Sequence, residues 1–93
     1  MLYLLRYDIV PGAASRVPEV YPRHRAYLDE VAVGGDLLLI GPLLPAPGSG
    51  SLAVFRTRAA AEAFPQHDPF VLEGLAEPLP VQEWNALELP PRG

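Results

Sequence analysis

Asp36-Leu37-Leu38-Leu39-Ile40-Gly41-Pro42-Leu43-Leu44-Pro45-Ala46-Pro47-Gly48-Ser49-Gly50-Ser51-Leu52-Ala53-Val54-Phe55-Arg56 decides how this chain folds. It holds two apolar runs, Asp36 to Ile40 and Ser51 to Arg56, each of strand length. Gly41 to Gly50 between them is dense in the breakers Gly, Pro and Ser. The segment therefore reads as a long-looped hairpin in the middle of the chain. Leu37 to Ile40 is apolar at four consecutive positions, so this strand is expected to be covered on both faces. One cover comes from a helix layer. In so small a domain the other is expected from a second copy of the chain, a homodimer.

Outward from the hairpin, each flank pairs a strand with a helix. Leu2 to Val10 is the clearest strand, with Tyr3, Leu5, Tyr7 and Ile9 on one face and the mixed set Leu2, Leu4, Arg6, Asp8 and Val10 on the other. Pro11-Gly12 ends it. Ser15 is a candidate cap for a short turn, and Pro18 and Pro22 are expected to prevent one regular helix here. The main helix is then expected to begin with Pro22 at its first position, run to about Val33 and stop at Gly34-Gly35. After the hairpin, Thr57 is a good N-cap for Arg58 to Phe64, Pro65 interrupts, and Asp68-Pro69 opens a short helical segment through about Gly74. Pro80 to Leu87 reads as the last strand, and the Pro-Pro-Arg-Gly tail is expected to fray. The order strand, helix, strand, strand, helix, strand predicts an α+β fold. It fits a ferredoxin-like βαββαβ arrangement with a four-stranded antiparallel sheet, as a single domain over residues 1–93.

Connectivity then places features that are distant in sequence. Right-handed crossovers bring the start of the first helix, with His24, to the same rim as the turn carrying Asp68. The Gly41–Gly50 loop reaches that rim, as does the end of the first strand with Arg6 and Asp8.

Composition narrows the function classes. The chain has 93 residues, 49% apolar and 19% charged, and a net charge of −4. All seven basic residues are scattered arginines, which disfavours nucleic acid as a partner. There is no cysteine, so disulfides and thiolate metal sites are excluded. The apolar run at the amino terminus is too short for a signal sequence and reads as a strand. No stretch is long enough to span a bilayer, so no membrane association is expected and a cytoplasmic location follows by default.

Two residues stand out chemically. His24 is in line with Tyr27, Leu28 and Val31 at helical spacing, at the end of an apolar stripe. An ordinary imidazole titrates near neutrality, about 6.5, which suits general acid or base work. A helix amino terminus beside it and a carboxylate paired with it act on that proton in opposite senses. Asp68 before Pro69 is a good N-cap, and its two oxygens allow a second role if one caps and the other faces His24. The plain alternatives are a structural histidine beside the core and an aspartate that only caps. Arg6 is a candidate for holding an anionic or phenolate substrate, with a simple ion pair as the alternative. Ser49 and Ser51 are candidate hydrogen-bond donors to a ligand, or turn residues, and Phe70 and Trp84 a candidate aromatic wall, or core. His67 reads as a surface residue, and His24, His67 and Asp68 match no recognised metal spacing, so no metal is assigned. No serine nucleophile elbow, phosphate loop or dinucleotide fingerprint is present, and no cofactor is assigned.

Tyr21-Pro22-Arg23-His24, the glycine-stopped helix leading to Gly41-Pro42, the Gly-Ser before the third strand, and Asp68-Pro69-Phe70 followed by Gly74 together resemble the YCII-related (YciI-like) domain family. The resemblance spans about Leu2 to Leu87. It implies a dimeric α/β barrel, two ferredoxin-like sheets packed face to face, and a His–Asp active site at His24 and Asp68. Activities in such a family include dehydrochlorination of a chlorinated hydroxyquinol, and in the wider superfamily isomerisation of a muconolactone. The chain departs from the usual pattern at Arg25, where leucine is common, and at Pro65-Gln66-His67, where small helix formers are usual. The expectation is a small cofactor-independent lyase or isomerase that uses the pair for proton transfer on a small cyclic or carbonyl substrate. The alternatives are a non-catalytic small-ligand-binding or accessory dimer and a purely structural dimerisation module.

Overall fold

β1 (Leu2–Ile9) alternates as its sequence requires, with Leu5 and Tyr7 buried and Arg6 and Asp8 exposed. The computed structural model describes residues 1–89, so the Pro-Pro-Arg-Gly tail lies outside the described residues. β2 (Leu37–Pro42) and β3 (Ser51–Phe55) form the expected antiparallel hairpin, and β3 pairs antiparallel with β1 from Tyr3↔Phe55 to Tyr7↔Ser51. β2 continues two residues past Ile40, because Gly41 and Pro42 still pair with Leu52 and Ser51. In the sheet β3 lies between β2 and β1, and the strand that ends the sequence order flanks β1 on its other side, the ferredoxin-like arrangement.

The last strand differs from the expected single run over Pro80 to Leu87. It is two short pieces, β4 (Ala76–Pro78) and β5 (Gln82–Trp84), both antiparallel to β1. Tyr7 pairs with Pro78 but Leu4 with Gln82, so this edge carries one residue more than β1 does. Pro78 and Pro80 supply no N–H, and the ladder is bridged there by Leu79, whose N–H reaches the Arg6 carbonyl at 2.8 Å.

The first helix also differs. α1 spans Val17–Val33, with Pro22 inside it. Pro18 is harmless because first-turn N–H groups have no helical partner. Pro22 forfeits a bond to the Pro18 carbonyl, a loss of order 3 kcal/mol in a helix interior. The helix continues because Val17, Val20, His24, Tyr27, Leu28 and Val31 form one inward stripe on both sides of the proline. His24 therefore sits two turns inside the helix, not in its first turn. The field of the helix terminus has faded at that distance. Before it, Ala14–Arg16 is a 3₁₀ turn without a side-chain cap, so Ser15 does not cap.

α2 (Arg58–Ala63) starts as expected, with the Thr57 hydroxyl accepting the Ala60 N–H at 3.1 Å. Pro65 lies in a 3₁₀ turn, Phe64–Gln66, and Asp68 then caps the short α3 (Pro69–Leu72). Leu5, Tyr7, Ala53, Phe55, Ala61, Phe64 and Ala76 form the main core, and Ala13, Val20 and Leu75 a smaller one. Phe70 packs against both, and the candidate site lies at their junction. On the other face of the sheet Leu39 and Trp84 remain exposed, at 68% and 47%.

Candidate active site

Asp68 is wholly buried, yet every polar atom of its side chain is paired. Oδ1 accepts the Phe70 N–H at 3.1 Å and lies 2.8 Å from Nδ1 of His24. Oδ2 accepts the Tyr7 hydroxyl at 2.9 Å. Capping and histidine contact thus share one oxygen, whereas the sequence suggests one oxygen for each; Tyr7 takes the second.

A carboxylate only accepts, so opposite one the hydrogen of the His24–Asp68 bond is the one carried by Nδ1. The ring is held flat against Phe70, with centroids 4.0 Å apart and planes 17° apart. Nε2 is left without a protein partner, and no buried side-chain nitrogen or oxygen among the described residues is unpaired, so Nε2 is open to the adjoining cavity. Burial first, and then the Asp68 charge, pushes the Tyr7 phenol well above its ordinary range and keeps it a donor. Tyr27, whose hydroxyl donates to the Phe64 carbonyl at 2.8 Å, is pushed up for the same two reasons.

The cavity is about 330 Å³. Its lining includes Tyr7, Asp8, Ile9, Val17, Tyr21, His24, Arg25, Leu28 and Phe70, with Pro42 from the end of β2 and Ala46, Pro47 and Gly50 from the β2–β3 loop. Gly50 has a φ of +79°, and a Cβ there would collide with the Tyr7 carbonyl oxygen, so only glycine lets the loop close this tightly over β1.

His24 and Asp68, 44 positions apart, are thus brought into direct contact, with Phe70 stacked on the imidazole. Ser51 lines the same cavity. Ser49 is exposed in the loop and is not on the lining. Arg6 and Trp84 are elsewhere. Arg6 alternates onto the far face of the sheet, beside Leu4, Leu79 and Gln82, and Trp84 pairs with Leu2 on that side. His67 is exposed, and no group of three or more His, Cys, Asp or Glu placed to hold a metal exists among the described residues. Tyr7 and Arg25 are the site residues that the sequence reading missed. The signal for Tyr7 was an inward-facing phenol whose hydroxyl needed a buried partner. For Arg25 it was a cation immediately after His24 where an apolar residue is usual.

The YCII-related domain signature matches residues 1–85. The chain belongs to the YCII-related domain family. Among solved structures, this YCII-related domain is similar to 5-chloro-2-hydroxyhydroquinone dehydrochlorinase (TftG) from Burkholderia phenoliruptrix AC1100, in complex with 2,5-dihydroxybenzoquinone. The two are 25% identical, with a TM-score of 0.73 over 91% of this chain and 94% of that one. No match was found among curated proteins. No helix of this YCII-related domain, among the described residues, is long and apolar enough to cross a membrane.

Proposed function

We propose that this YCII-related domain is a small lyase or isomerase in which His24 moves a proton on a small cyclic or carbonyl substrate. The observation that carries this reading is the His24–Asp68 bond, with Nε2 facing an apolar cavity of ligand size. Nε2 takes a proton from a substrate O–H or C–H bond. The imidazolium so formed is stabilised by Asp68, which Tyr7 and the Phe70 N–H hold in place. In an elimination, the electron pair released from that bond expels the leaving group. A halide departs as the anion while the proton rests on His24, and their sum is HX, with no external oxidant. In an isomerisation, the same proton returns to a different atom of the substrate. The dehydrochlorinase likeness supports a halogenated hydroxyhydroquinone as the first substrate class to test.

The reading includes a homodimer in which two sheets pack through the face bearing Leu39 and Trp84. The exposure of these large apolar side chains supports it.

The test is turnover of halogenated hydroquinones and small lactones, followed by halide release and absorbance. His24→Gln and Asp68→Asn are each expected to lower turnover by about 10²–10⁴-fold, with circular dichroism checking that the fold is retained. Folded His24→Gln protein with full turnover would end the assignment. Binding without conversion by the unaltered protein would favour the non-catalytic alternative.

A further inference from the structure

The geometry points to Arg25 as the residue that selects an anionic substrate, a small ring bearing a carboxylate. This rests on the reading of the His24 cavity as the substrate site. Arg25 lines that cavity one residue beyond His24, flanked along α1 by Tyr21 and Leu28, which line it too. Arg16, Arg23 and Arg58 are held by glutamates outside the cavity. Among the described residues the one ion pair of Arg25 is through Nε, 3.2 Å from Asp29 one turn on. That contact joins two side chains that are both largely exposed, 61% and 65%, and leaves both terminal nitrogens without a partner among the described residues. Two parallel N–H groups in a fixed plane are the geometry that grips a carboxylate through both oxygens.

Three carboxylates lie near the cavity: Asp29, already taken up by Nε of Arg25, Asp8 and Asp68. Asp8 also lines the cavity, but it belongs to the even-numbered side of β1, with Glu77 opposite, and it approaches Gly50 of the loop through its backbone. Asp68 is enclosed behind His24 and fully paired. Among the lining residues Arg25 is the only permanent cation, in walls otherwise mostly apolar. The remaining walls suit a flat ring, with the cavity at the low end of the usual range for small ligands, roughly 300–1,000 Å³. A ring lying against Phe70 and Leu28, its carboxylate on Arg25, presents its hydroxyl or acidic carbon to Nε2 of His24.

The experiment uses two probes that differ only by the carboxylate, 2,5-dihydroxybenzoate and hydroquinone, titrated into the whole protein by calorimetry and by amide chemical shifts. The unaltered protein is expected to bind the carboxylate about tenfold more tightly, since a partly exposed charge-assisted pair is worth about 1.4 kcal/mol. Arg25→Leu is expected to equalise the two, and Arg25→Lys to keep only part of the preference. Raising the salt concentration should shrink the preference in the unaltered protein and leave Arg25→Leu unaffected, which a merely structural role would not do. His24→Gln should retain the preference, because His24 is not the anion's partner. Equal affinity for both probes in the unaltered protein, or the same preference in Arg25→Leu, overturns the assignment while leaving His24-dependent turnover as a separate result. If neither probe binds at millimolar concentration, the assignment also fails.

Discussion

Replacing Tyr7 by Phe removes one oxygen and leaves the ring where it is, stacked 6.4 Å from Phe64. What is lost is the hydrogen bond to Oδ2 of a carboxylate that is 0% exposed. A bond to a charged group contributes about 1.5–3 kcal/mol, and the orphaned oxygen has no water to replace it, so Tyr7→Phe should cost about 2 kcal/mol near neutral pH. For a domain of this size that lowers Tm by about 8–16 °C. The pH dependence adds a second, independent reading. Tyr7 is held protonated in the fold, by burial first and the Asp68 charge second, whereas the unfolded phenol ionises at about 10. Above that pH the unfolded chain binds fewer protons than the native one, so stability falls as pH rises, by about 1.4 kcal/mol per unit for this group. The stability that Tyr7 provides is complete below pH 10 and is lost above it. Phe has no such proton. The two proteins should therefore converge above pH 10 and cross near about pH 11.5, where 2 kcal/mol has been offset at 1.4 per unit. Urea unfolding at matched protein concentration, from pH 8 to 11.5, measures this. Equal stability at pH 8, or a gap that stays constant through pH 11, would refute the claim that the buried phenol holds Asp68.

Two further substitutions probe the loop that lines the cavity and the open face. Gly50→Ala places a Cβ against the Tyr7 carbonyl at a φ of +79° and should cost at least about 2 kcal/mol in urea unfolding; a neutral result would mean the loop is not pinned there. Leu39→Glu puts a charge on the exposed sheet face and should weaken self-association by about 100-fold or more, read by light scattering across micromolar concentrations; an unchanged mass would remove this face from the proposed dimer.

Much of the architecture was legible because it depends on periods and breakers. The two-residue alternation of Leu2 to Ile9 and the Gly-Pro-Ser run after Ile40 act locally, and the structure keeps both. The convergence of His24 and Asp68 followed from the handedness of the crossovers and needed no contact information. The helix start was misread because the penalty for Pro22 is a local quantity, whereas its compensation is tertiary: Val20 and His24 are buried on either side of it. The last strand differs from its sequence pattern because its two halves are defined only by β1, which accepts three residues on each side of the interruption at Leu79, Pro80 and Val81.

The arginines show a different kind of miss. Alternation already put Arg6 on the face of β1 that looks away from the helices, and a cavity between α1 and the sheet cannot be reached from there. Arg6 is the basic residue of the mixed face and stands near the rim along the strand, but the cavity is on the strand's other side. On a helix the angular test is more forgiving: Arg25 is about 100° around from His24, which moves a long side chain from the buried stripe to the cavity edge.

The sharing of one oxygen within Asp68 decides how the catalytic reading has to be tested. Oδ1 caps α3 and orients His24, so any change at Asp68 perturbs the short helix and the imidazole together. Activity lost in Asp68→Asn can therefore come from either cause. His24→Gln is the cleaner variant. It leaves the carboxylate with the Tyr7 hydroxyl and the Phe70 N–H, two of its three donors, and an amide side chain fills part of the space over Phe70. If that protein keeps its Tm within a few degrees and loses turnover, the chemistry belongs to Nε2. If it unfolds with the activity, the His24–Asp68 bond is holding the fold, and the site has to be argued again from the cavity walls.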